Sequence, residues 1–186
     1  MFNDKKDLKV FCHENSVSDN GYGLLYGYPW GKIFKAELFS RIRFPNGYWF
    51  EDTVMAFVIF SMAKRVATSN VLLYHYRKNP QGITSKSRGK VKILDTYWIS
   101  EQLLHDRETL KLHNDITFAK VMLQQVKTNY HRIKTLGRSD IDRAVFVLTA
   151  DLWNKYFSNI KSTSPLAKAL AMNDFLQYKV SIEFDL

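Results

Sequence analysis

The hydrophobic and polar positions divide this chain into two unlike parts. From about residue 89 onward, apolar residues recur every three or four positions, the spacing of one helix face. That spacing predicts helices over 90–111, 115–135, 140–158 and 165–178. Their ends carry matching signals. Leu136-Gly137 reads as a helix stop, and Ser139 as an N-cap with Asp142 three residues on. Pro165, after Ser164, suits the first position of the last helix. Before residue 89 the pattern is mixed. Val54, Phe57, Val58, Phe60 and Met62 fit a buried helix ending near Lys64-Arg65, where cations suit a C-terminus. Three stretches read as strands: Ile33-Phe34, the run 66–77 with Val66, Val71, Leu72, Leu73, Tyr74 and Tyr76, and the tail Val180-Ser181-Ile182-Glu183-Phe184. Residues 21–29, Pro45-Asn46-Gly47 and Asn79-Pro80-Gln81-Gly82 read as loops and turns. The predicted fold class is thus mixed α/β with few strands over 1–88, followed by a mainly α-helical C-terminal region over 89–186. Two or three strands are marginal alone, so residues 1–88 read as a piece of a larger fold.

Composition narrows the picture. The chain of 186 residues is 46% hydrophobic and 15% aromatic, which excludes a disordered polymer and suits one domain better than two. No apolar run approaches the ~20 residues of a membrane span, and the charged residues 1–9 do not resemble a signal peptide. A single cysteine, Cys12, supports neither an intrachain disulfide nor a Cys-rich metal site, and is expected to be a buried spacer in a reducing compartment. The net charge of +9 is spread along the chain, with one denser patch at Arg77, Lys78, Lys86, Arg88, Lys90 and Lys92. Nucleic acid, an anionic membrane surface and phosphorylated ligands are the partners such a balance suits.

The candidate chemistry centres on Glu51-Asp52, two adjacent acids between an aromatic loop, Gly47-Tyr48-Trp49-Phe50, and the apolar run beginning at Val54. One carboxylate there suits a general base that takes a proton from a hydroxyl nucleophile. The same acids suit an N-terminal cap and dipole partner of the following helix. Trp30-Gly31-Lys32-Ile33-Phe34 offers an indole beside a glycine, either an open stacking face or a core aromatic. In Tyr74-His75-Tyr76-Arg77, a period of two would put His75 and Arg77 on one face, to hold a diphosphate or form a solvated edge. Asp140-Ile141-Asp142 spells a D-x-D metal motif but stands at a helix start, where acids serve the dipole. No phosphate-binding glycine motif, zinc spacing or nucleophile elbow is present, and His13, His105, His113 and His131 share no partner.

Taken in order, Trp30-Gly31-Lys32-Ile33-Phe34-Lys35, Glu37-Leu38-Phe39, Ile42-Arg43-Phe44-Pro45, Gly47, Glu51-Asp52, Tyr74-His75-Tyr76-Arg77 and Gly82-Ile83-Thr84-Ser85 resemble the C-terminal half of bacterial family 2 glycosyltransferases of the GT-A fold. The resemblance covers about residues 21–88. Each piece is weak alone, and the ordered set is fairly specific. It implies transfer of a sugar from a nucleotide-sugar to a glycan or lipid-linked acceptor in envelope or capsular polysaccharide synthesis, by a hexosyltransferase-type enzyme. Asp52 would be the catalytic base and Glu51 its support. Trp30, Lys32 and Trp49 would line the acceptor side, and His75 and Arg77 would lie near the donor diphosphate. A divalent metal, Mn²⁺ or Mg²⁺, would serve the complete enzyme.

The family's nucleotide-binding half, with its metal-binding D-x-D, does not precede Trp30. The chain alone is therefore expected to bind no metal and to be inactive, with the missing half on another chain or lost. The implied location is cytoplasmic, with peripheral contact at the inner face of the cell membrane. The competing class is a non-enzymatic basic module that binds nucleic acid or an anionic membrane through Lys86, Arg88, Lys90 and Lys92. It ranks lower because no helix-turn-helix signature is evident and the aromatics at Trp30 and Trp49 are remote from the patch in sequence.

Overall fold

A computed structural model describes residues 27–63 and 74–185. The five longest helices among them are α1 (Asp95–Thr109), α2 (Ile116–Ile133), α3 (Ser139–Phe157), α4 (Pro165–Ala171) and α5 (Phe175–Glu183). Local chemistry sets their ends. The Asp115 carboxylate accepts the Phe118 N–H at 2.9 Å and starts α2. A 3-10 turn, Lys134–Leu136, closes that helix at Gly137, whose φ of 65° suits a residue without Cβ. Pro165 stands at the start of α4, as its fixed φ favours.

In three places the helical region departs from the sequence reading. The single helix expected over 165–178 is two helices. Asn173 turns left-handed at φ 55°, and Asp174 caps the next helix by accepting the Gln177 N–H at 2.9 Å. The expected strand at 180–184 lies at the end of α5. Tyr178, Ser181 and Ile182 are buried together there, a helical spacing rather than an alternation. Ser139 is not the cap of α3. The residue before it, Arg138, instead grips Asp140 through two bonds of 3.0 and 2.7 Å.

The fold class is corrected with them. Among the described residues there is no strand and no sheet; the protein is predominantly helical. Ile33 is fully exposed in an irregular stretch, and β-forming residues make a strand only where a neighbour completes the ladder. Tyr74 and Tyr76 are exposed on irregular backbone, while the rest of that predicted strand, 66–73, lies outside the described residues.

The apolar segment after Asp52 is helical but not a plain α-helix. It runs as a 3-10 turn, Glu51–Thr53, a π-helical turn, Met55–Ile59, and an α turn, Phe60–Met62. Met55, Phe57, Val58 and Ile59 are fully buried, and the segment packs on α1 and α2. One cluster of buried side chains runs from Ile42 to Ile182. Its aromatic spine passes from Phe57 to Phe118 (5.3 Å, edge-on), Phe157 (5.8 Å, stacked) and Trp153 (4.8 Å, stacked).

Arg107 is buried within this core, where a lone cation would be costly. Its cost is met by geometry. The guanidinium lies 3.4 Å over the Phe118 ring and donates to Phe57 O, Ser61 Oγ, Asn114 Oδ1 and His113 O. It thereby ties the segment after Asp52 to the α1–α2 connection.

Candidate functional site

The loop before Glu51-Asp52 is pinned from below by the start of α1. Gly47 takes φ 86°. The Lys92 ammonium donates to Gly47 O at 2.8 Å and pairs with Asp95 at 2.8 Å. Asp95 Oδ2 accepts the Trp49 N–H at 2.8 Å, and Lys92 stands 6.0 Å from the Trp49 ring. Lys92, the last cation of the basic patch, and the Trp49 aromatic are therefore neighbours in space despite their separation in sequence. Phe50 then turns left-handed at φ 65°, an uncommon conformation for a bulky residue. Its ring meets Trp49 edge-on at 6.3 Å and lies 3.7 Å under the guanidinium of Arg132. Thr53 N–H closes onto Phe50 O at 3.0 Å, so both acids sit in the first turn, at the mouth of the buried segment.

The two acids differ. Glu51 is exposed and Asp52 half-buried. Burial pushes the Asp52 carboxyl above the ordinary aspartate range, and the Glu51 charge adds to this; Arg132 and the Asp52 backbone N–H pull the other way. Burial in turn lowers the Arg132 guanidinium below its usual value, against the pull of Asp52.

Arg132 was not singled out by sequence reasoning. It is oriented by a network between α1 and α2. Its Nη1 donates to Thr96 Oγ1 at 2.8 Å, and that hydroxyl donates to Asn129 Oδ1 at 2.7 Å. Asn129 Nδ2 donates to Ser100 Oγ at 3.2 Å, and Gln125 Nε2 donates to Asn129 Oδ1 at 2.8 Å. Thr96, Ser100 and Asn129 are buried. The available signal was the stripe Gln125, Asn129 and Arg132, whose steps of four and three put polar side chains on one face of an otherwise apolar helix.

Trp30 and Lys32 form a second group. Tyr28 lies parallel to Trp30 at 3.8 Å, and Tyr76 and Tyr74 stack on it at 4.7 and 5.2 Å. A ring at 3.8 Å leaves no room for two more on the same face, so the indole is sandwiched rather than open. Lys32 donates to Tyr28 O at 2.7 Å and lies 5.0 Å over the Tyr28 ring; burial lowers its pKa. Gly31 beside it takes φ 68°, a left-handed conformation that suits a residue without Cβ. His75 and Arg77 flank Tyr76 and are exposed. A β-carbon at Gly27 would lie 4.0 Å from Ala56 Cβ, in the segment after Asp52.

No known protein family, curated protein or solved structure matches this chain. Its chemistry is read from its own residues. Among the described residues, no three His, Cys, Asp or Glu side chains converge as metal ligands. Asp140 and Asp142 stand in the first turn of α3, with Asp140 held by Arg138. A groove of about 370 Å³ between α1 and α3 is lined by Tyr97, Glu101, His105, Asp151 and Lys155, and by none of the predicted site residues. No helix among the described residues is long and apolar enough to cross a membrane.

Proposed function

We propose that Asp52 is the general base of a glycosyl transfer and that the Trp49–Phe50 shelf borders the acceptor. The observation that carries this reading is the placement of Asp52, a half-buried carboxylate at the mouth of a buried helical segment, with an aromatic shelf before it. Burial that raises its pKa makes it a better proton acceptor near neutral pH than an exposed aspartate. The ordered motifs from Trp30 to Ser85 support the same reaction class.

In this reaction the acceptor hydroxyl gives its proton to Asp52. Its oxygen forms the new bond to the anomeric carbon, and the bond to the nucleoside diphosphate breaks with its electron pair on the departing phosphate. Glu51, exposed beside Asp52, faces the acceptor side. The acceptor class is a glycan or lipid-linked saccharide at the cytoplasmic face of the membrane. The donor is a nucleotide-sugar held by a nucleotide-binding unit other than the residues described above, and any divalent metal would belong to that unit.

Two measurements test this. Calorimetry of the chain with nucleotide-sugars and Mn²⁺ is expected to show no tight complex; submicromolar binding would overturn the acceptor-side assignment. In a transfer assay that supplies the donor-binding unit, Asp52→Asn is expected to lower turnover by roughly 10²–10⁴-fold, the usual worth of a general base, with an unchanged far-UV spectrum. Unchanged turnover would reduce Asp52 to a helix-start residue. A basic module that binds nucleic acid or an anionic membrane is the second reading. It is favoured by one observation, that all six cations of the patch from Arg77 to Lys92 are exposed.

A further inference from the structure

We infer that Arg132 is the positioning residue of Asp52: locked by the Thr96–Asn129–Ser100 network and stacked on Phe50, it fixes the Glu51-Asp52 turn and sets a positive charge beside it. The meaning of this role rests on the reading of Asp52 as a base. The geometry stands by itself.

Desolvation and the adjacent Glu51 charge both favour the protonated form of Asp52, which cannot take up a proton. A base acts in its ionised form, and a neighbouring cation that opposes those two effects favours that form. The charged groups around the turn are few. Glu51 acts the wrong way. Lys92 and Asp95, from the start of α1, are engaged with each other and with the Gly47 carbonyl and the Trp49 N–H. Tyr97, the next titratable group on α1, donates to Glu101. The turns Met55–Ile59 and Phe60–Met62 carry no titratable side chain. On α2, His131 is exposed and packs edge-on against Tyr130. Among the described residues, Arg132 is the cation that opposes the shift.

Its construction is more than a surface arginine needs. A guanidinium 3.7 Å over the Phe50 ring clamps the residue that precedes the acids, in the strained left-handed conformation that aims them. Its Nη1 is bound to a buried hydroxyl whose own proton goes to a buried amide, so the planar fork has one orientation. Half of the network comes from α1 and half from α2, so the packing of these helices is transmitted directly to the acid turn.

The test follows the Asp52 carboxyl carbon by ¹³C NMR across a pH titration of the whole chain, with Asp52→Asn to assign the signal. Arg132→Met is expected to move the Asp52 titration upward, Arg132→Lys to keep it close to that of the parent protein, and Thr96→Val to give a smaller upward shift with the charge retained. A purely structural arginine would lower the melting temperature and leave the Asp52 titration in place, and that result overturns the inference. Should Arg132→Met not fold, Thr96→Val carries the same decision, since an unmoved Asp52 titration there also overturns it. An unmoved titration leaves the base assignment intact, whereas undiminished turnover in Asp52→Asn removes the base and leaves the Arg132 result standing.

Discussion

Asp52 carries a stability signature separate from any reaction. Its pKa in the folded protein lies above the ordinary aspartate value of 3.8, with burial the largest cause. The folded state therefore holds this proton more tightly than the unfolded chain does. The sign follows from linkage: where the folded state binds more protons, stability falls as pH rises. The favourable contribution is complete below the ordinary value and is lost as pH climbs through the raised one. An amide side chain at this position would stay neutral throughout. Asp52→Asn is thus expected to melt higher than the parent protein at pH 7, the gap closing on acidification below the ordinary carboxylate range. Thermal melts at several pH values check this, and a lower melting temperature for the variant at pH 7 would contradict it. At the same scale, the clamp on Phe50 and the sandwich on Trp30 involve residues whose chemistry was visible in the sequence. Their partners, Arg132 and Tyr28 with Tyr76, were not paired with them, because contacts across 82 positions or between neighbouring loops leave no periodic trace.

Among the elements, α2 shows how a local rule and a tertiary demand meet. Its start was legible, because Asp115 precedes a regular apolar period and its side chain reaches the Phe118 N–H. Its packed face includes Phe118, Met122, Val126 and Ile133, all buried. Asp115→Ala is expected to cost about 1 kcal/mol, the usual worth of a side-chain cap, and to lower the melting temperature by roughly 2–4 °C for a chain of this size. An unchanged melting temperature would show that packing alone holds the first turn. The break between α4 and α5 was legible in principle. Asn173-Asp174 joins a residue tolerant of positive φ to a good N-cap, and both were passed over because the apolar spacing runs on through them. The strand readings at Ile33-Phe34 and 180–184 failed for a different reason. Val, Ile and Tyr report a preference for a pleated, half-buried surface, and that preference is realised only beside another strand.

For the whole molecule, the continuous cluster from Ile42 to Ile182 has a consequence. The segment after Asp52 and helices α1 to α5 bury their apolar faces against one another, so neither part retains its core alone. Unfolding by denaturant is expected to give coincident transitions by near-UV dichroism, which reports the aromatic loop and spine, and by far-UV dichroism, which reports the helices. Separate midpoints would show that the acid turn and the helical region are independent units.

The sequence by itself determined the helical C-terminal region, most of its boundaries, the place of Glu51-Asp52 at the mouth of a helical segment and the exposed basic patch. All of these follow from spacing, capping and charge within a few residues of one another. Only the tertiary structure decided that the first portion, where described, is helical and irregular rather than stranded. It also closed both faces of Trp30 and brought Lys92 onto the Trp49 loop. Above all, it set Arg132 on the Phe50 ring beside the acids, 82 positions away in the chain. Burial and long-range charge are properties of packing, and it is packing that makes one of two adjacent carboxylates a candidate base and leaves the other in water.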